Sequence, residues 1–131
     1  MKPNKTKHRK RVFIVDDEEQ IVLLLKTILN VYSYDSIESL SAMEAFSKIM
    51  SDKPDIILLD IAMPDMDGYE VCRQLKNNPK TSHIPIVMIT ALALEQDRKL
   101  AMAAGANGFI LKPFDPRKVI DEIERLTSST T

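Results

Sequence analysis

The chain has 131 residues, 44% of them hydrophobic and 28% charged, which is typical of one globular domain rather than a disordered chain. Its single cysteine excludes an internal disulfide and is compatible with a reducing compartment. No apolar run approaches the ~20 residues of a membrane span, and the run after the basic start is too short for a signal peptide. We therefore expect a soluble, cytoplasmic protein without a membrane partner.

The net charge of −1 hides an uneven distribution of charge along the chain. Residues 1–11 hold six basic residues and no acid, so the rest of the chain carries −7. This start is polar and without periodicity, which predicts a basic flexible tail. An arm that binds nucleic acid is the alternative, but the absence of interleaved aromatic residues and the acidic remainder argue against direct nucleic-acid binding. The polar residues 128–131 predict a frayed end, which leaves 12–127 as the domain.

Five segments predict β-strands, at residues 12–15, 34–39, 56–59, 86–89 and 109–111. Four of them are short, unbroken apolar runs, which is typical of strands buried on both faces of a parallel sheet. The second segment is more polar and alternates weakly, as an edge strand does.

A helical pattern follows each predicted strand, at residues 20–30, 42–51, 68–77, 95–104 and 116–126. Ser41 and Glu44 form a capping box before the second helix, Gly105 ends the fourth, and Pro116 opens the fifth. The alternation of strands and helices predicts a doubly wound α/β fold, (βα)5, with a parallel five-stranded sheet and helices on both faces.

The first helix has more apolar residues than one buried face needs. Ile21, Leu24, Leu25 and Ile28 recur at helical spacing and form the predicted inner face. The remaining apolar pair, at positions 22 and 23, indicates either ordinary core packing with one stray exposed residue or a docking surface for a partner. In the third helix, the cysteine at position 72 lies on the apolar face, which favours a core side chain over a reactive thiol.

Polar side chains follow four of the five predicted strands at the point where each strand ends. Asp16 and Asp17 follow the first strand, Asp60 the third, Thr90 the fourth and Lys112 the fifth. Because right-handed crossovers bring the carboxyl ends of parallel strands to one edge, we expect these side chains to meet there.

Carboxylates in one cleft repel each other, and a hard divalent cation such as Mg²⁺ relieves the repulsion. Lys112 adds a mobile positive charge suited to a phosphoryl oxygen, and Thr90 adds a hydroxyl donor. These groups together indicate a phosphoryl-transfer site in which Asp60 is the natural acceptor. No Gly-rich loop is present to hold a nucleotide.

The motifs VFIVDDE (12–18), IILLDIAMPDMDG (56–68), VMITA (87–91) and GANGFILKPF (105–114) occur in this order over residues 12–126. They resemble the receiver domain of two-component response regulators. The resemblance implies a flavodoxin-like fold with strand order 2-1-3-4-5. It also implies a phosphoryl donor, a phosphohistidine on a sensor histidine kinase or a histidine phosphotransfer protein, and a downstream output protein or domain that receives the signal.

The resemblance also implies roles for individual residues. Asp17 and Asp60 would bind Mg²⁺ directly, together with the backbone carbonyl of Ala62, and Asp16 would act mostly through water; Mn²⁺ can stand in for Mg²⁺. The other implied roles concern the phosphoryl group and the switch. They are phosphoryl contacts from Thr90 and Lys112, an inward turn of the Phe109 ring on activation, and a cis bond between Lys112 and Pro113.

The chain departs from many DNA-binding relatives at Asn107 and Gly108, where those proteins carry paired acids used in dimer ion pairs.

Two rival functions remain open on the sequence. An aspartyl-phosphate phosphatase of the haloacid dehalogenase kind needs an acid two residues after its nucleophile, where this chain has Ala62. A receiver-like interaction module would not be phosphorylated at all. We expect a receiver that catalyses its own phosphorylation and dephosphorylation and is not a conventional turnover enzyme.

Overall fold

The computed structural model describes residues 9–64 and 66–128, and this part of the chain forms seven strands and five helices. The strands are β1 (Arg11–Val15), β2 (Asp35–Ser39), β3 (Ile56–Leu59), β4 (Ala62–Met63), β5 (Met66–Asp67), β6 (Ile86–Thr90) and β7 (Gly108–Leu111). The helices are α1 (Glu19–Val31), α2 (Ala42–Asp52), α3 (Gly68–Asn77), α4 (Glu95–Ala103) and α5 (Pro116–Thr127). None of these helices is both long enough and apolar enough to cross a membrane.

Five strands form one parallel sheet in the order β2-β1-β3-β6-β7. Counted over these five strands alone, the order is 2-1-3-4-5, so the predicted flavodoxin-like topology is confirmed. The polar strand β2 lies at an edge, as predicted. Strands β4 and β5 form a separate antiparallel hairpin directly after β3, which was not predicted.

The sheet separates two hydrophobic cores because alternate residues of a strand point to opposite faces. Phe13 and Val15 of β1 pack with α2, α3 and α4, whereas Val12 and Ile14 pack with α1 and α5. All four residues of β3 are buried, which agrees with an unbroken apolar run in the centre of a parallel sheet.

The predicted inner face of α1 is wrong by part of a turn. Val22, Leu25, Ile28 and Leu29 are buried, whereas Leu24 is 46% exposed. Val22 belongs to the core and Leu23 is exposed, which fits core packing with one stray exposed residue, one of the two alternatives left open for this pair. Residues 21–25 are all apolar, so more than one set of helically spaced positions could form the inner face, and contact with the sheet selects one of them.

Three consecutive cations, placed by the sequence in a flexible tail, are fixed at the amino edge of the sheet. Arg9 donates to carbonyl oxygens of the turn between α1 and β2 at 3.0 and 3.2 Å. Lys10 donates to the carbonyl of Thr127 at the end of α5, and Arg11 pairs with Asp52 at the end of α2. Ordered structure therefore begins at least as early as residue 9. The rest of the predicted tail, 1–8, and positions 129–131 of the predicted fray lie outside the described residues.

Candidate functional site

The carboxyl edge of the sheet brings polar residues that follow β1, β3 and β7 into one cleft, whereas Thr90 is the last residue of β6 and is not among the residues that line it. Backbone pairing continues into this region, since the Asp60 N–H donates to the Val15 carbonyl at 2.9 Å and the Lys112 N–H to the Thr90 carbonyl at 2.8 Å. The cleft has a volume of about 530 Å³. Its lining residues are Asp17, Glu18, Ile21, Asp60, Ala62, Ala91, Lys112 and Pro113.

Three carboxylates meet in this cleft. Asp16, Asp17 and Asp60 each place one oxygen within 4.8 Å of the others. Asp16 and Asp60 are 2% and 5% exposed, so their repulsion is poorly screened by water. Hard oxygen donors at this spacing fit a divalent cation such as Mg²⁺. The residues predicted to hold the metal are therefore brought together.

Lys112 is the counter-ion of this acidic cluster. Its ammonium nitrogen lies 3.0 Å from Asp16, 3.1 Å from Asp60 and 2.8 Å from Glu18. Burial disfavours the charged ammonium, but hydrogen bonds to Glu18 and Asp16 and the charges of Asp16 and Asp60 outweigh it and raise the Lys112 pKa. The lysine is therefore fully charged in the cleft at neutral pH.

Glu18 was not predicted as part of the site, although it belongs to the run of four acids after β1. Within this run of four acids, the resemblance implied roles only for Asp16 and Asp17. Glu18 is the N-cap residue directly before α1, and its side chain extends to the lysine that follows β7. Its position next to the two predicted acids was the available signal.

Burial raises the pKa of Asp16 above its ordinary value of 3.8, and the Asp60 charge acts in the same direction. The Glu18 N–H, which donates to Asp16 Oδ1 at 2.9 Å, and Lys112 oppose this rise. The protein itself therefore compensates only part of the cost of a charged Asp16, and a bound cation would supply more.

Hydrogen bonds from backbone N–H groups fix the orientation of the Asp60 and Thr90 side chains. The Ala62 N–H donates to Asp60 Oδ1 at 3.1 Å, which leaves Asp60 Oδ2 directed at Lys112. The Leu92 N–H donates to Thr90 Oγ1 at 3.2 Å, and Thr90 is fully buried. These bonds hold the carboxylate and the hydroxyl in place before any ligand arrives.

The predicted switch residue Phe109 lies beside α4 and is partly buried against the core shared by α2, α3 and α4. The Arg98 guanidinium lies 5.1 Å from the centre of its ring, within the range of a cation–π contact. The Lys112–Pro113 peptide bond is cis. At Asp97, next to Arg98 in α4, the Tyr69 hydroxyl donates to the carboxylate oxygen Oδ1 at 3.1 Å.

Comparison with known proteins identifies the family. Residues 12–124 match the response regulator receiver domain. The response regulator PleD of Caulobacter vibrioides is 42% identical over 117 residues, which are 89% of this chain and 26% of PleD. The regulatory protein PhoP for alkaline phosphatase synthesis in Bacillus subtilis is 43% identical over 110 residues, 84% of this chain and 45% of PhoP. The chain thus spans between a quarter and a half of these two relatives.

Solved structures agree with this match. A CheY-like receiver domain protein from Methanospirillum hungatei superposes with a TM-score of 0.84 at 31% identity, over 91% of this chain and 94% of that one. The receiver domain of a histidine kinase from Syntrophus aciditrophicus gives the same TM-score at 33% identity, over 91% and 90% of the two chains. The chain belongs to the response regulator receiver domain family.

Proposed function

We propose that Asp60 accepts a phosphoryl group from a phosphohistidine in a Mg²⁺-dependent reaction. The donor would be a sensor histidine kinase or a histidine phosphotransfer protein, and the phosphorylated domain would signal to a downstream output protein or domain in the cytoplasm. The observation that carries the proposal is the convergence of Asp16, Asp17 and Asp60 within 4.8 Å, with Lys112 in contact with two of them.

Phosphoryl transfer would take place at the Asp60 carboxylate, whose Oδ2 is directed at Lys112. An Asp60 oxygen forms a new O–P bond as the N–P bond of the phosphohistidine breaks, and the leaving imidazole keeps the electron pair of that bond. Lys112 then neutralises phosphoryl oxygens, and the Thr90 hydroxyl donates to one of them. The domain takes up one phosphoryl group and later loses it to water, so it is a signalling partner rather than a turnover enzyme.

The donor set of the cleft fits a resident Mg²⁺, or Mn²⁺ in its place. Asp17 and Asp60 would hold the ion together with the Ala62 carbonyl, and Asp16 would act mostly through water. When bound, the ion would neutralise charge on the phosphoryl oxygens and on the carboxylates.

Phosphorylation would reach the surface through Thr90 and Phe109. A Thr90 hydroxyl that turns to a phosphoryl oxygen gives up its bond to the Leu92 N–H and vacates space beside the Phe109 ring. Inward movement of the ring would break its contact with Arg98 of α4, and this change would shift the population between two packings. NMR signals around Phe109 should move when beryllofluoride, a phosphoryl mimic, binds; unchanged signals would exclude this route.

The proposal is tested with a small phosphodonor such as acetyl phosphate, with and without Mg²⁺, followed by intact mass. One added phosphoryl group that needs the metal is expected, and Asp60→Asn should abolish it. Lys112→Ala and Thr90→Ala should label much more slowly while keeping the fold by circular dichroism. A wild-type protein that stays unlabelled would instead indicate an interaction module that is not phosphorylated, and labelling that survives Asp60→Asn would place the acceptor elsewhere.

A further inference from the structure

Glu18 makes the shortest of the three ion pairs of Lys112. Its Oε1 lies 2.8 Å from the lysine nitrogen, compared with 3.0 Å for Asp16 and 3.1 Å for Asp60. The three carboxylates differ sharply in exposure, because the Glu18 side chain is 58% exposed while those of Asp16 and Asp60 are 3% and 5% exposed. Glu18 is therefore the partner that water can most easily replace.

The Glu18 side chain is not needed to begin α1. Its backbone carbonyl accepts from the N–H groups of Ile21 and Val22, and its N–H donates to Asp16. The side chain itself makes no capping hydrogen bond to the helix. Because the backbone fixes the position of residue 18, a change of its side chain should alter the contact with Lys112 and leave the fold intact.

A lysine ammonium group has three N–H donors. In this cleft three carboxylates lie within 3.1 Å of the Lys112 nitrogen, and Glu18 and Asp60 accept hydrogen bonds from it. Phosphorylation converts the Asp60 carboxylate into an acyl phosphate, whose oxygens can take over the Asp60 contact with the lysine. Lys112 gains a contact with a second phosphoryl oxygen only after Asp16 or Glu18 has left. The exposed pair costs least to break, since a solvated ion pair contributes little stability compared with a buried one.

We infer that Glu18 is a positioning residue that occupies one N–H donor of Lys112 in the resting cleft and releases it when a phosphoryl group arrives. This inference rests on the proposed function and deepens it. It gives the site a built-in restraint on the rate of phosphoryl uptake, because the contact with Glu18 must break before Lys112 can make a second contact with the transferred group. Loss of the Glu18 charge should therefore speed uptake, in contrast to the loss of Asp16, Asp60 or Lys112.

The matched pair of variants is Glu18→Gln and Glu19→Gln. Both remove one negative charge at the start of α1, but Glu19 is not among the ion-pair partners of Lys112 in the described part of the chain. Rates of labelling by acetyl phosphate are measured over a range of donor concentrations at saturating Mg²⁺. A weaker repulsion of the anionic donor should lower the half-saturating concentration equally in both variants.

Only Glu18→Gln should also raise the maximal rate, by up to about fivefold, which corresponds to the loss of an exposed ion pair at the upper end of its usual strength. Equal maximal rates in both variants and the wild type would overturn the inference while leaving the proposed function standing. A wild-type protein that takes up no phosphoryl group would overturn both.

A second measurement is independent of phosphorylation. In the resting, metal-free protein, the ammonium protons of Lys112 should exchange with water slowly in the wild type and in Glu19→Gln, and faster in Glu18→Gln, as seen by ¹⁵N-resolved NMR. Unchanged exchange in Glu18→Gln would show that Glu18 does not hold the lysine, and would overturn the inference whatever the labelling rates are.

Discussion

Gly68, the first residue of α3, packs closely against the backbone of Asp60 and Ile61, the two residues that follow β3. A Cβ at this position would lie 2.5 Å from the Ile61 Cα and 2.8 Å from the Asp60 carbonyl oxygen, whereas ordinary contact begins at 3.4 Å. Both neighbours are backbone atoms, so neither can move aside without moving the loop that carries Asp60. We predict that Gly68→Ala both destabilises the domain and displaces Asp60, the proposed phosphoryl acceptor.

The expected loss of stability can be worked out from this overlap. Forcing a methyl group into a filled space typically costs about 1–3 kcal/mol. For a domain of about 120 residues the entropy of unfolding is roughly 0.25 kcal/mol/K, so the melting temperature should fall by about 4–12 °C. Circular dichroism in metal-free buffer gives this value, and acetyl phosphate labelling in Mg²⁺ then shows slower uptake by the folded variant.

Gly108→Ala is the matched control for this substitution. A Cβ at Gly108 would lie 2.8 Å from Glu122 Oε1, the end of a flexible side chain, and 3.3 Å from Val87 Cγ2. Glu122 can rotate away, so the loss should be smaller and phosphoryl uptake should be unchanged. A Gly68→Ala protein that melts with the wild type, or that loses no more stability than Gly108→Ala, would refute the steric reasoning.

Three further predictions concern other parts of the domain. Burial raises the pKa of Cys72 to about 11, so its thiol should react with an alkylating reagent at pH 8 only as fast as the domain opens. Reaction at the rate of a free thiol would contradict this. The protonated thiol also contributes to the stability of the fold. This contribution is present in full below pH 9.0 and should be lost as the pH rises through about 11. Tyr69→Phe removes the hydrogen bond to Asp97, so it should lower the free energy of unfolding by about 1 kcal/mol and speed amide exchange in α4. Unchanged exchange in α4 would mean that this bond does not hold the helix. Ala62 and Leu92, two residues after the acceptor and after Thr90, cannot orient a hydrolytic water through their side chains, so the phosphorylated form should be long-lived. Decay in excess Mg²⁺ should quicken in Ala62→Asn or in Leu92→Glu, and identical decay in both variants and the wild type would show that these side chains do not control the water.

The central strands could be predicted because their environment leaves a simple mark on the sequence. A strand buried on both faces must be apolar at every position, and residues 56–59 are both apolar and buried throughout. The convergence of Asp16, Asp60 and Lys112 followed from the rule that the carboxyl ends of parallel strands share an edge. The strand order itself came from the resemblance to receiver domains, since apolar runs do not specify their neighbours.

Features that depend on contacts between distant segments could not be predicted in the same way. The inner face of α1 was misplaced because Val22 and Leu24 are equally apolar and contact with the sheet decides between them. The β4–β5 hairpin has two residues in each strand, too few to show a period. Glu18 joined the site only because its side chain reaches a lysine 94 positions along the chain.

The two edges of the sheet carry opposite charges, with basic side chains at the amino edge and carboxylates at the carboxyl edge. At the amino edge, Arg9 meets carbonyl groups of the turn after α1. Lys10 and Arg11 meet a carbonyl and a carboxylate at the ends of α5 and α2, where positive charge complements the helix dipoles. These pairs stabilise the fold at the edge that lies away from the cleft.

The carboxyl edge instead gathers negative charge, and burial raises the pKa of Asp16 above 3.8. A raised pKa means that the folded state favours the protonated acid. The stability from this protonation is present below pH 3.8 and is lost as the pH rises through the raised value. At neutral pH the metal-free fold therefore bears the cost of a buried carboxylate, and a cation or a positive side chain that enters the cleft recovers part of it. The same electrostatic cost that weakens the resting fold favours binding of the ion on which the proposed chemistry depends.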